Sequence, residues 1–183
     1  MTRALSRIET TTAACLVAAV VVLQTEIMGI AIVGLDAALL VSFALWLAAR
    51  WNPDRPRLTT AWYAMGLVCF CIHFLEERTS GFNRQFPALF GYRWSDERFL
   101  AFNAAWLSLF AVAGVAVFRG LRVGYLAVLF FAIGGGVANG IVHVAIALSV
   151  RRYFPGLFSA PVMFAVGIQL LRLLYGRNGL ERQ

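Results

Sequence analysis

Extended polar stretches are scarce in this sequence, and their scarcity excludes an ordinary soluble domain. Hydrophobic residues occupy 61% of the 183 positions and the mean hydropathy is +0.76, whereas soluble domains contain roughly 45–50% apolar residues. A soluble chain of this length has no core that would bury so much apolar surface, but a lipid bilayer accepts it. The composition therefore predicts an integral membrane protein whose surroundings are the lipid bilayer.

A separable signal peptide and a disulfide framework are also lacking. The first hydrophobic run starts near Ala13 and continues almost to Arg50, with no cleavage site followed by a polar domain. The cysteines are three, Cys15, Cys69 and Cys71, and all lie in apolar runs, which argues against disulfide pairing. The Cys-x-Cys pair has the spacing of a soft-metal ligand, but cysteine is also a common small apolar residue of buried helices.

Lysine is absent, and all 16 basic residues are arginine, with a formal net charge of +7. The arginines are scattered between hydrophobic runs and form no single patch, which argues against nucleic acid as a partner. Scattered interfacial arginines are typical of side chains that face anionic lipid headgroups.

Five hydrophobic blocks predict the membrane spans: 13–49, 61–75, 100–118, 125–150 and 157–174. A spanning helix needs about 20 residues, so the first block is nearly long enough for two. Polar residues and glycines interrupt it, and a very tight turn near 26–29 would divide it into two helices. We therefore expect an all-α, polytopic transmembrane helix bundle with six spans. The alternative has five spans, with one long first helix that projects from the bilayer.

The distribution of arginine favours six spans. With six, the side that holds both termini carries 10 arginines and the opposite side carries 6; with five, the count becomes 8 against 8. The positive-inside rule then predicts a protein of the cell membrane with both termini in the cytoplasm.

The division of the chain follows the same blocks. We expect an N-terminal transmembrane pair over 1–58 and a four-span core over 59–183 that carries the chemically distinctive motifs. The longest loop, 78–98, is rich in aromatic residues as well as charge. It is predicted to lie along the membrane interface, either as a plain connector or as a lid over a site at that face.

Ionisable residues converge in one half of the membrane. His73, Glu76 and Glu77 have i, i+3, i+4 spacing, and Asn139 and His143 have i, i+4 spacing, so each set shares one face of a helix. Alternating helices bring both sets to the same end of the bundle, together with Asn103. Glu26 and Asp36 fall near the same end, where both are also explained as turn residues.

Two glycines beside this polar face predict a helix contact. Gly136 and Gly140 form a Gly-x-x-x-Gly pattern, which lets another helix backbone approach closely. Because His73 and His143 must meet, we expect the third and fifth spans to pack through this surface. The pocket would then open toward the 78–98 loop and the turn at 153–156.

Ionisable groups inside a membrane cost about 2.5–3.5 kcal/mol each, so a cluster needs compensation. A bound divalent cation, zinc or iron, would supply it, with His73, Glu77 and His143 as ligands. Glu76 would be a further ligand or a general base, and Asn139 would orient His143 or the substrate. This hypothesis describes a metal-dependent enzyme acting on a lipophilic small molecule from the bilayer, by hydrolysis or by oxygen-dependent chemistry.

Two alternatives remain open at this stage. Paired glutamates that raise each other's pKa would support metal-free acid/base chemistry, such as isomerisation or cyclisation. A transport or interaction protein is the further alternative, although a transport path needs polar groups through the full depth of the membrane. The oligomeric state is open.

Three short motifs resemble those of one protein family. The segments "HFLEE", "NGIVH" and "YFPG" occur in this order within membrane spans, and the chain is similar over about residues 61–175 to the HXXEE-motif family of small bacterial membrane proteins. The first 50 residues would be an addition to that core. The family has no settled biochemical role, so the resemblance implies which residues matter, namely His73, Glu76, Glu77, Asn139 and His143, and leaves the reaction open.

Overall fold

A computed structural model describes residues 6–48 and 56–175 of the chain, and within these residues the fold is entirely helical, with no strand. The helices are α1 (Arg7–Met28), α2 (Val33–Ala48), α3 (Pro56–Ser80), α4 (Phe82–Ala88), α5 (Asp96–Phe118), α6 (Arg122–Phe130), α7 (Asn139–Val150) and α8 (Ala160–Tyr175). A 3-10 turn (Ile30–Ile32) precedes α2, and a π-helical segment (Phe131–Ala138) joins α6 to α7.

The described helices confirm a polytopic transmembrane bundle. Five of them are long and apolar enough to cross a membrane: Arg7–Met28, Ile30–Ala48, Arg57–Ser80, Asp96–Phe118 and Arg122–Val150. Helix α8 is apolar but has 16 residues, a length of about 24 Å against a hydrocarbon core of about 30 Å. Large apolar side chains such as Val68, Val112 and Leu148 are exposed on the outside, as suits a surface that faces hydrocarbon. Five full spans and a shorter sixth agree with the predicted bundle.

The predicted division of the first hydrophobic block is confirmed, and it falls at Gly29. Helix α1 starts at a capping box formed by Ser6 and Glu9 and ends at Met28. Gly29 then adopts φ 74°, and a Cβ there would lie 2.6 Å from Cε1 of Tyr92. Both the backbone turn and the aromatic ring packed on it therefore require glycine.

Two tryptophan hydrogen bonds fix which helix ends lie together. Trp94, just before α5, donates from Nε1 to the carbonyl oxygen of Met28 at 2.8 Å. At the opposite end of the bundle, Trp46 donates from Nε1 to the carbonyl oxygen of Arg122 at 2.9 Å. The end of α1 and the start of α5 thus lie at one end of the bundle, and the end of α2 meets the start of α6 at the other.

The core centres on Phe131, the first residue of the π-helical segment. Its ring is fully buried and packs edge-on against Tyr63 of α3 and Phe110 of α5, with ring centroids 5.3 and 5.1 Å away. Tyr63 also donates its hydroxyl to the carbonyl oxygen of Phe110 at 3.0 Å. These contacts bind α3, α5 and the fifth long helix (α6, the π-helical segment and α7) into one unit.

The N-terminal helices belong to the same packed bundle. Helix α1 packs on α2, and α2 packs on α6 and on the π-helical segment. The division into a pair over 1–58 and a core over 59–183 stays a prediction. Residues 1–5, 49–55 and 176–183 lie outside the described part of the chain. They include both chain termini, whose arginines entered the predicted orientation.

The predicted partner of the Gly136/Gly140 surface was wrong. A Cβ on Gly136 would lie 2.7 Å from Cα of Gly167, and a Cβ on Gly140 would lie 2.6 Å from Cβ of Phe164. Both contacts are with α8, the sixth helix, and the third helix reaches the fifth through Phe131 and the histidines instead. Periodicity identified the small-residue face, but it carries no information about which neighbour fills it.

Gly136→Ala should therefore destabilise the bundle, by about 1–3 kcal/mol, because the new methyl group meets the backbone of α8, which cannot rotate away. Gly135→Ala is the matched control on the same helix: its Cβ would first meet Phe131 at 3.6 Å, an ordinary contact. Thermal unfolding of the purified proteins in detergent measures both. Equal changes in Tm for the two variants would contradict the proposed contact.

Candidate metal centre

Helix α3 contributes His73 and Glu77, one turn apart near its end. Both side chains are buried, with 2% and 7% of their residue surface exposed. Glu77 Oε1 lies 3.5 Å from His73 Nε2. The i, i+4 spacing thus stacks the carboxylate on the imidazole, as predicted from the sequence.

The fifth long helix contributes His143, and the π-helical segment directly precedes α7, which carries it. π-Helical turns are uncommon and occur frequently at functional sites. His143 is 1% exposed, its Nε2 lies 3.2 Å from Glu77 Oε1, and its ring is 4.9 Å from that of His73 at an angle of 86°. His73, Glu77 and His143 each offer one ligand atom within 4.8 Å of the others, so the three are close enough to hold a metal ion.

The outer nitrogen of each imidazole is held by an oxygen. His143 Nδ1 lies 2.6 Å from the carbonyl oxygen of Pro155, and a carbonyl only accepts, so this nitrogen carries the hydrogen. His73 Nδ1 lies 2.7 Å from Ser159 Oγ, whose own hydrogen is donated to Glu76 Oε2. Ser159 therefore accepts from His73. In the neutral imidazoles both Nε2 atoms are then unprotonated, and both face Glu77.

The amide of Asn139 lies between the two Nε2 atoms. Its Nδ2 is 2.8 Å from His73 Nε2 and its Oδ1 is 3.1 Å from His143 Nε2. The first contact is a hydrogen bond, but the second sets an oxygen against a nitrogen lone pair, beside Glu77 Oε1. Rotating the amide by 180° only moves this conflict to His73. A cation, either a metal ion or an added proton, resolves it.

The structure does not bring Glu76 to the two Nε2 atoms. Adjacent helical residues point about 100° apart, and the Glu76 carboxylate accepts hydrogen bonds from the Tyr153 hydroxyl at 2.8 Å, from the backbone N–H of Phe158 at 3.0 Å and from the backbone N–H of Ser159 at 2.8 Å. Burial raises the pKa of the Tyr153 hydroxyl, which keeps it protonated as a donor. Glu76 thus anchors the segment 151–159 to α3, and this geometry gives no support to a ligand or base role for it.

The segment 151–159 closes one side of the site. The sequence analysis identified the YFPG motif in this segment but not its contacts with the histidines. Gly156 has φ 88°, and a Cβ there would lie 2.9 Å from His73 Cε1 and would clash with the His143 ring. Pro155 and Ser159 hold the two imidazoles, and no spacing rule pointed to them. The one available signal was the position of "YFPG" in the resemblance, with Ser159 three residues beyond it.

A cavity of about 240 Å³ adjoins the site. Its wall includes His73, Glu77, Asn139 and His143, and otherwise consists mainly of phenylalanine and tryptophan rings together with Asn103. Of the remaining acidic residues predicted near this end, Glu26 is exposed. Asp36 is buried outside the cavity, where it accepts hydrogen bonds from Gln24 and from Thr25, the latter at 2.9 Å.

The 78–98 connector covers this end of the bundle. Asp96 pairs with Arg78 at 2.9 Å and accepts from Asn83 Nδ2 at 2.6 Å, which ties its two ends together. Phe82, on α4, lies 5.3 Å from the His143 ring, and it lines the cavity together with Phe86 and Trp94. The connector therefore forms part of the cavity wall.

The fold and the site define a class: a polytopic helical membrane protein with a buried His–Glu–His group. The sequence model of a family described as "Protein of unknown function with HXXEE motif" matches residues 64–169. The match covers more than half of the chain and contains every residue of the site, so the chain belongs to the HXXEE family, as its motifs predicted. No curated protein and no solved structure matches the chain.

The two adjacent glutamates should respond differently to the same substitution. Glu76→Gln turns an amide N–H₂ toward groups that already donate, and should lower stability by about 2–3 kcal/mol. Glu77→Gln replaces a buried carboxylate with a neutral amide of the same shape, and should leave stability unchanged or raise it. Thermal unfolding after treatment with chelator compares them. A larger loss in Glu77→Gln would mean that the assigned roles are reversed.

Proposed function

We propose that this protein is a membrane-embedded, metal-dependent enzyme whose divalent ion, zinc or iron, is held by His73, Glu77 and His143. The observation that carries the proposal is the pair of outer hydrogen bonds. Both Nδ1–H groups are bound to oxygens, which leaves both Nε2 atoms unprotonated beside the Glu77 carboxylate. The Asn139 amide that donates to His73 Nε2 would turn away to admit the ion. Metal-binding histidines typically donate their other N–H in this way, which fixes the ring orientation and the tautomer.

The two separations between the Glu77 oxygen and the imidazole nitrogens fit such an ion. Glu77 Oε1 lies 3.5 Å from His73 Nε2 and 3.2 Å from His143 Nε2. Ligands about 2.0–2.1 Å from a tetrahedral zinc ion lie about 3.3–3.4 Å apart. Two histidines and one carboxylate leave coordination positions open, as catalytic zinc sites and non-haem iron sites do.

The chemistry supplied by the ion would be Lewis acidity or activation of water for zinc, and oxygen-dependent reactions for iron. The residues of the chain would hold and orient the reacting groups. Asn139 contacts both Nε2 atoms and would act at the reaction centre by orienting His143 or the substrate. Ser159 and Pro155 would keep both imidazoles in the required tautomer, and Glu76 would hold Ser159 in place.

The aromatic cavity beside the ligand group supports a lipophilic small molecule as substrate. Such a molecule partitions into the bilayer, and a multi-pass protein of the cell membrane would take it up there. The proposal includes no nucleic acid partner, because the arginines are scattered along the chain.

Metal-free acid/base chemistry is the second candidate, and one observation favours it. Glu77 Oε1 lies within 3.5 Å of both imidazoles, so a proton on His143 would also resolve the conflict at Nε2. The form of this chemistry that uses paired glutamates has less support, because the Glu76 carboxylate is hydrogen-bonded to the segment 151–159. A transport path has less support still, since the site adjoins a cavity at one end of the bundle.

Metal analysis separates the two candidates. The purified protein, reconstituted with zinc or ferrous iron and then desalted, should retain about one ion per chain, and His73→Gln, His143→Gln and Glu77→Gln should each retain less than about a tenth of that, because three ligands bind cooperatively. Inductively coupled plasma mass spectrometry gives the occupancy.

Two control variants sharpen this measurement. Asp36→Asn removes another buried carboxylate, and Cys71→Ala breaks the Cys-x-Cys pair; both should retain the ion. A folded wild-type protein that binds neither zinc nor iron would overturn the metal proposal in favour of acid/base chemistry. Retention of the ion by the three site variants would overturn the ligand assignment.

Orientation is tested independently. With both termini in the cytoplasm, the site end of the bundle faces the non-cytoplasmic side. A single cysteine at Gln85 or Glu97, in a chain whose three native cysteines are replaced by alanine, should react with an impermeant maleimide in intact cells. Labelling only after permeabilisation would show that the site end faces the cytoplasm and would contradict the predicted orientation. It would not affect the assignment of the site residues.

A further inference from the structure

The cavity wall is unusually rich in aromatic rings. Nine of its 22 lining residues are phenylalanine or tryptophan, and they come from α3, the 78–98 connector, α5 and α6. Aromatic rings favour offset-stacked or edge-to-face contacts with another π system over contacts with saturated groups of the same size. The wall therefore favours a flat, unsaturated ligand.

His73, Glu77, Asn139 and His143 together are called the His–Glu–Asn group. Asn103 is the one lining residue with a side-chain amide outside this group. Its exposed fraction is 9%. Its Nδ2 donates to the carbonyl oxygen of Phe99 at 3.0 Å, and this bond fixes the amide orientation, because a carbonyl cannot bond the amide oxygen. No residue in the described part of the chain donates to Asn103 Oδ1. Asn103 Oδ1 is not one of the fully enclosed side-chain atoms without a partner, so it keeps some accessible surface. A ligand in the cavity with a hydroxyl or amine hydrogen would cover this oxygen and donate to it.

The cavity volume indicates the size of the part of a ligand that the cavity encloses. A cavity of about 150 Å³ in a protein core admits benzene, and this one measures about 240 Å³. In proportion, it holds roughly ten non-hydrogen atoms. That size corresponds to two fused six-membered rings or to a short conjugated chain.

We propose that the cavity binds a flat aromatic or conjugated compound of this size that carries one hydrogen-bond donor, and that Asn103 Oδ1 accepts that hydrogen. The proposal rests on the proposed function in taking the cavity as the substrate site. It requires no metal for binding, since Asn103 and the rings supply the contacts. Asn103 is then a specificity-determining residue, and the His–Glu–Asn group acts on another part of the same molecule.

Three probe compounds of nearly equal size test the proposal: naphthol, naphthalene and decahydronaphthol. Equilibrium dialysis compares the protein in lipid nanodiscs with nanodiscs of the same lipid alone, which subtracts partitioning into the bilayer. Wild-type protein should bind naphthol about tenfold more tightly than naphthalene, which lacks the donor, and more tightly than decahydronaphthol, which lacks the π system. Equal affinities for naphthol and naphthalene, or no saturable binding of any probe, would overturn the proposal.

Substitutions locate the effect at Asn103. Asn103→Leu should weaken naphthol binding about tenfold and leave naphthalene binding unchanged, because only the acceptor is lost. Asn103→Ala, which also removes the acceptor, repeats the test if the leucine variant does not purify folded. Ser108→Ala is the control: Ser108 lies on the same helix and makes the same kind of bond to Ala104 at 2.8 Å, outside the cavity. Unchanged naphthol affinity in folded Asn103→Leu would contradict the assignment.

The design separates this inference from the metal proposal. Glu77→Gln removes a proposed metal ligand but should bind naphthol within about twofold of wild type, because the acceptor at Asn103 is intact. A protein that holds the metal and binds no naphthol would disprove this inference alone. A protein that binds naphthol and holds no metal would disprove the metal proposal alone.

Discussion

A carboxylate buried among membrane helices needs a positive partner, and the site is organised around that need. Glu77 Oε1 lies within 3.5 Å of two imidazole nitrogens, and neither is positively charged while the imidazoles are neutral. The cost of an uncompensated carboxylate in this environment is about 2.5–3.5 kcal/mol or more. A bound cation removes that cost, which is why the same three residues that would be unfavourable alone make a coherent ligand set together.

The surrounding structure holds these side chains in place from outside. Glu76 fastens the segment 151–159 to α3, and that segment presents Ser159 and the Pro155 carbonyl to the two outer nitrogens. Gly156 lets the segment pass against both rings. The two adjacent glutamates therefore make different contacts. Glu77 lies beside the two histidines, and Glu76 binds the segment that contacts their outer nitrogens. Loss of the outer carboxylate would disturb the tautomers as well as the loop.

Much of the site could be predicted from the sequence, because helical spacing and depth are local properties. His73, Glu77 and His143 meet since i, i+4 spacing and alternating helices permit few other arrangements. Spacing alone could not show that Glu76 turns away, because i+3 and i+4 neighbours share a broad face and the loop that captures Glu76 is distant in sequence. Pro155, Ser159 and the α8 partner of Gly136 depend on tertiary contacts in the same way. The sequence pattern predicts which residues share a face of a helix, and tertiary packing determines which residues contact that face.

The N-terminal helices lie outside the part of the chain that matches the family, yet they contribute to the cavity. The match begins at residue 64, whereas Ala31, Ile32, Gly34 and Leu35 line the cavity from the 3-10 turn and the start of α2. The ligand group and the loop behind it lie within the match, and one wall of the cavity lies outside it. Two chains could therefore share the buried His–Glu–His group while their cavities differ in shape. In this chain, Ala31 and Gly34 contribute little side-chain volume to that wall, and the aromatic rings of α5 and α6 form much of the rest of the cavity wall.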